Sequence, residues 1–260
     1  MIEDAVRTIQ RDLQGRADAG TREWWEAYLK GTISFRGVKM AGIRQAVNEW
    51  HSADGDEWKS TRQRELAIAL IEQELAEDKL AGILLIQEIL LPAGAISWRT
   101  ELPRWARLFD HGFISDWNTC DWFCIRVLGP LAAAEGEACA RAIADWQRAR
   151  NLWRRRAAGV AFVPSAPDGE ANFHGFTEMV LDVCATTIRH PERFAQTGTG
   201  WVLRELSKAN GVPVAGFVER HLELMSREAV RMSVARLSDR DRSRLLAAHG
   251  ADPNIKRGRR

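Results

Sequence analysis

The 260-residue chain has no apolar run near the roughly 18 to 20 residues that a membrane-spanning helix requires, which excludes that class of membrane protein. Its start lacks the marks of a secretory leader. Residues 1–14 mix Glu3, Asp4, Arg7, Arg11 and Asp12 into an amphipathic helix, with no apolar core and no small-residue cleavage site. A cytoplasmic protein is the expectation. Cys120, Cys124, Cys139 and Cys184 form no CxxC pair, and their spacing suits neither a zinc ribbon nor a disulfide framework, so buried free thiols are expected. The six histidines are scattered, and no HExxH, P-loop or G-x-S-x-G occurs. Zinc protease, NTPase and hydrolase readings therefore lack support.

What the chain does have is helical period almost throughout, with little strand alternation. Apolar spacing predicts helices at about 2–13, 22–30, 42–51, 61–75, 78–90, 101–110, 117–128, 132–148, 152–163, 173–188, 199–209, 214–222, 226–237 and 240–249. Residues 33–38 read as an extended connection, 52–57 as a polar loop and 164–171 as the clearest loop. Pro103 is expected in the first turn of its helix, and Asn151 as an N-cap. Helix pairs of roughly 35 to 45 residues joined by short turns predict an all-α fold, an α-solenoid of HEAT-like repeats with a concave face, with a compact bundle as the alternative. One domain over 1–250, followed by a disordered basic tail at 251–260, is the expected organisation.

Net charge is only +2, but it is unevenly placed. From Arg141 to Arg156, six arginines face the single acid Asp145, interleaved with Trp146 and Trp153. A run of this kind is either a solvated face or a nucleic-acid contact.

Three constellations could carry chemistry. On the helix predicted at 117–128, Trp117 and Asp121 sit side by side along the edge of a stripe through Cys120, Cys124, Val127 and Leu128, and Ser115 or Asp116 is the candidate cap. The macrodipole favours Asp121 as an anion near its helix start. It could form an internal ion pair or stabilise a developing cation. Arg156 is the lone guanidinium in the apolar stripe Leu152, Gly159, Val160 and Val163; it either pairs with an acid such as Asp121 or binds an anion through its planar fork. Arg154 and Arg155 fall elsewhere on the wheel and read as solvated or phosphate-facing. The chain holds eleven tryptophans and one tyrosine, and Trp117 and Trp201 are the best ligand candidates. Trp201 is expected to open a helix just after Thr197-Gly198-Thr199-Gly200, where glycines let another chain come close, and its ring could hold a cation.

These residues, with others around them, resemble the AlkD-like DNA alkylation repair proteins, bacterial DNA glycosylases built from HEAT-like repeats. The resemblance spans about 25–237. It rests on Tyr28-Leu29-Lys30, Phe35-Arg36-Gly37-Val38-Lys39, Trp117-Asn118-Thr119-Cys120-Asp121, Asn151-Leu152-Trp153-Arg154-Arg155-Arg156-Ala157-Ala158, Gly200-Trp201-Val202-Leu203-Arg204-Glu205 and Arg227-Glu228-Ala229. It implies that Asp121 is the catalytic carboxylate, that Trp117, Trp201 and Tyr28 line the lesion cleft, that Arg156 belongs to the active site and holds DNA phosphate, and that Lys39 approaches the backbone. It also implies a monomer acting on double-stranded DNA that carries cationic N3- or N7-alkylated purines, excising them without swinging the base into a pocket and without metal or organic cofactor. Where the family commonly shows Thr-Pro before an arginine, this chain has Met40-Ala41-Gly42-Ile43-Arg44, losing a cap and a favoured first-turn proline. The loop 164–171 also looks longer than usual. The rival reading is a non-catalytic helical-repeat scaffold that binds DNA structure or a protein partner.

Overall fold

The computed structural model describes residues 1–251, and every regular element among them is helical. Beyond Ala251, the tail read as basic and disordered lies outside the described residues. The chain divides into two compact units, Met1–Val127 and a second that begins at Leu128. The first holds α1 (Ile2–Gly15), α2 (Ala19–Tyr28), α3 (Met40–Trp50), α4 (Ser60–Ile71), α5 (Ala76–Leu85), α6 (Trp98–Asp110) and α7 (Trp117–Phe123). The second holds α8 (Gly129–Glu135), α9 (Glu137–Ala144), α10 (Leu152–Val160), α11 (Phe176–Thr187), α12 (Arg193–Leu206), α13 (Gly211–His221), α14 (Arg227–Ser233) and α15 (Asp239–Ala251). This all-α architecture of packed helix pairs is consistent with an α-solenoid of helical repeats.

The repeat is visible in how helices stack within each unit. In the first, α4 packs on α5, and α3, α5 and α7 follow one another as a row. Each helix of that row ends in a π turn, at His51–Gly55, Ile86–Leu90 and Cys124–Leu128. In the second unit α12 is sandwiched between α10 and α14.

Several boundaries differ from expectation for identifiable reasons. The helix expected over 132–148 is broken at Gly136, whose φ of 77° ends α8 and starts α9. α6 starts at Trp98, earlier than expected, so Pro103 lies beyond the first turn and removes one bond of the helix ladder. The segment 164–171, expected as a loop, is mostly a kinked 3-10 helix at Ala166–Ala171, held by Asn172, which donates to the Ser165 and Gly169 carbonyls at 2.9 and 2.8 Å, and by Glu170, which accepts the Gly175 and Thr177 N–H groups at 2.6 and 2.9 Å.

One buried carboxylate organises the first unit. Glu77, in the first turn of α5, is fully buried and accepts the backbone N–H groups of Arg36, Gly37 and Val38 at 2.9, 2.8 and 3.0 Å. Asp78 beside it takes both guanidinium nitrogens of Arg36, at 2.7 and 3.0 Å, and the Gln10 amide at 3.1 Å. Burial raises the Asp78 carboxyl above the ordinary aspartate range even though Arg36 opposes it. Gly37, at φ 96°, lies so close to Asp18 that a Cβ there would come within 2.1 Å of the Asp18 carbonyl. The extended segment is thereby pinned between α2 and α5.

Replacing Glu77 with Ala should leave those backbone donors without their acceptor and lower stability by about 3 kcal/mol or more in urea unfolding. A loss under about 1 kcal/mol would show that water satisfies the segment equally well.

Candidate functional site

α7 starts where Asp116 caps it, its Oδ1 accepting the Thr119 N–H at 2.9 Å. That decides between the two candidate caps. Burial raises the Asp116 carboxyl above its usual range, opposed by hydrogen bonds from Thr119 and Asn118 and by the charge of Lys79. The same burial lowers the Lys79 ammonium, which donates to the Ile71 carbonyl at 2.9 Å. Along α7 and the π turn after it, Cys120, Cys124 and Val127 are buried while Trp117 and Asp121 are half-buried, as the helical wheel requires. All four cysteines are free and buried.

Trp117 packs against Leu29, Phe35 and Ala76 and meets the Tyr28 ring edge-to-face at 5.4 Å. Tyr28 and Trp117 are thus brought together. Trp25 stacks on Phe35 at 5.6 Å and 13°, which fastens α2 to the segment that Glu77 holds. Lys39, at the end of that segment, is exposed at the N-cap of α3.

α2 carries two features that local patterning did not flag. Trp24 stacks on Tyr28 at 5.1 Å and 11°, with both rings exposed. The i to i+4 spacing was the available signal. The helix then ends in a Schellman motif, with Gly31 N–H on the Glu26 carbonyl at 2.9 Å and Lys30 N–H on the Ala27 carbonyl at 3.2 Å. Lys30 sits at the left-handed position of that motif with φ 54°, where glycine is favoured.

In the second unit Asn151 caps α10 as expected, its Oδ1 accepting the Trp153 and Arg154 N–H groups at 2.9 and 3.0 Å. The expectation for Arg155 requires correction. It is buried, and its guanidinium donates to the Ala149 and Arg150 carbonyls at 3.0 and 2.6 Å and to Glu192 at 2.8 Å. The chain entering α10 and Glu192, just before α12, take its donors inward. Arg154 is half-buried, its guanidinium 5.3 Å from the Trp146 ring centroid. Arg156 is buried and donates from Nη1 to the Phe194 carbonyl at 2.7 Å and the Thr197 hydroxyl at 3.4 Å.

Trp201 also needs a correction. It lies inside α12, and Thr197 to Gly200 are helical. The glycines do permit a close approach, but by the unit's own helices. A Cβ on Gly198 would fall 3.0 Å from Arg156 Nη1, and one on Gly200 would fall 3.0 Å from the Ala229 carbonyl. Trp201 itself is half-buried.

Among the described residues no group of three or more His, Cys, Asp or Glu side chains is placed to hold a metal ion, and no helix is long and apolar enough to cross a membrane.

The fold is that of an all-α helical-repeat protein; in the first unit Trp117 and Asp121 share the edge of α7, and in the second Arg156 is buried on α10. Residues 9–237 match the family model for DNA alkylation repair enzymes, and the chain belongs to that family. Among solved structures it is similar to one described as a predicted DNA alkylation repair enzyme from Enterococcus faecalis, with a TM-score of 0.70, 17% identity, and 86% of this chain and 98% of that chain covered. At this identity the likeness concerns the fold. No curated protein sequence matches significantly.

Lys30→Gly relieves the left-handed strain and should raise stability by up to about 1 kcal/mol in thermal or urea unfolding. A drop in stability would mean that the Lys30 side chain contributes more to packing than its backbone conformation costs.

Proposed function

We propose that the chain is a DNA glycosylase that hydrolyses the N-glycosidic bond of cationic N3- or N7-alkylated purines in duplex DNA. The observation that carries this reading is the edge of α7, where Trp117, in contact with the Tyr28 ring, and Asp121, one turn further along, are both half-buried, in a member of a DNA alkylation repair family. A cationic purine is already a good leaving group, so no general acid is needed. The bond between C1′ and the base nitrogen breaks, the base leaves neutral with the bonding electrons, and positive charge develops on the deoxyribose. Asp121 stabilises that charge and orients water, which adds to C1′ and releases its proton. Trp117 and Tyr28 contribute their electron-rich faces to the same cation.

The remaining roles divide by burial. Lys39 and Arg154 contact the DNA backbone. Arg156, steadied by the Phe194 carbonyl, acts as a fixed positive charge for phosphate, and Trp201 contacts the bound DNA. Arg155, with both Nη groups committed to Glu192 and two carbonyls, fixes the start of α10 instead of meeting phosphate. The protein works as a monomer in the cytoplasm, needing no cofactor.

Asp121→Asn keeps the side-chain volume and removes the charge. Purine release from methylated duplex should fall on the order of a hundredfold or more while duplex binding persists. Release at the wild-type rate would remove Asp121 from the mechanism. If neither form releases a purine from any lesion while both bind DNA, the scaffold reading takes its place.

A further inference from the structure

α2 is built unlike its neighbours. None of its residues is buried, yet it carries Trp24, Trp25 and Tyr28. Trp25 anchors the helix on Phe35, which leaves Trp24 and Tyr28 to explain. They are 58% and 53% exposed, the two exposed large aromatics among the described residues. Burying an indole is normally worth a few kcal/mol, so leaving a parallel pair in water is costly unless something covers it.

The ring geometry says what could. Trp24 and Tyr28 lie nearly parallel at 5.1 Å, and Trp25 is 4.8 Å from one and 5.9 Å from the other, perpendicular to both, at 84° and 75°. Trp25 thus stands beside the stack. Trp117 meets Tyr28 in a T-shaped contact at 5.4 Å and 71°. Trp24, the more exposed of the two, is the end member of this stacked pair. A flat aromatic ring extends such a stack by one step.

We propose that Trp24 and Tyr28 form a stacking platform for an unpaired nucleobase, with Trp24 as a base-binding residue outside the lesion site. The proposal rests on the DNA reading above for the identity of the polymer. In an intact duplex both faces of every base are covered by neighbours, so the platform receives an unpaired base other than the lesion, which needs no such displacement to be excised. Charge does not carry the recognition: the exposed Arg22 and Lys30 are balanced on and beside this helix by Glu23 and Glu26. The platform therefore distinguishes bases from bare backbone, and does so with little dependence on salt.

The test compares a short oligodeoxythymidylate with an abasic oligodeoxyribose phosphate of equal length, both binding the full chain. The second ligand keeps the phosphates and lacks the rings. Wild type should prefer the first on the order of tenfold, with a ratio that changes little between low and moderate salt because phosphate contributions are common to both. Trp24→Ala should bring the ratio near unity, and Trp24→Phe should retain most of it. Because no residue of α2 is buried, the fold should survive, as circular dichroism will report. An unchanged ratio in Trp24→Ala, or equal weakening of both ligands, overturns the platform. Purine release from methylated duplex, measured alongside, reads the glycosylase proposal separately: a base-dependent ratio without release sinks only the latter, and release without a Trp24-dependent ratio sinks only the former.

Discussion

The buried carboxylate of Glu77 is the constraint on which the arrangement of the first unit depends. A charge this deep is tolerated when its lone pairs are filled, and three consecutive backbone N–H groups fill them. In doing so Glu77 fixes the course of the segment from Phe35 to Lys39. Phe35 then offers a face to Trp25, which carries α2 into place and sets Tyr28 against Trp117. The Arg36 to Asp78 pair adds a second tie. Buried pairs of this kind are costly to break even where they contribute little net stability, so their effect is to specify one geometry.

The second unit solves its close packing differently. α12 presents Gly198 towards Arg156 and Gly200 towards Ala229 and Met232, so the helix lies tightly between α10 and α14 without Cβ atoms in the way. Gln196 adds a polar tie: its amide donates to the Ile188, His190 and Leu224 carbonyls at 2.7, 3.1 and 3.0 Å, and its oxygen accepts the Ser226 N–H at 2.8 Å. Both units thus hold their helices with satisfied buried polar groups as well as apolar contact, which limits the ways a helix could slide.

What could be read from sequence was what local periodicity determines. The α7 edge with Trp117 and Asp121, the buried cysteines and the Asn151 cap all follow from spacing within a few residues. The misreadings involve partners far along the chain. Glu192 lies well beyond Arg155, so a helical wheel for α10 gave no sign that this guanidinium turns inward. Trp201 was expected to open a helix just after Thr197 to Gly200, whereas those residues are themselves helical and their glycines mark helices in contact. Glu77 stood just outside a helix expected to begin at 78, and nothing local identified it as an acceptor for residues 36–38. Trp24 was one indole among eleven, and only the ring geometry distinguishes it.

The chemical claim is that one anion suffices because the departing purine already carries positive charge. Free-base release from duplexes holding 7-methylguanine, compared with duplexes holding neutral hypoxanthine, tests it directly. Release of the methylated base with retention of hypoxanthine is the expected result, since a neutral purine needs a proton donor to leave. Comparable release of both would contradict a mechanism that relies on Asp121 alone.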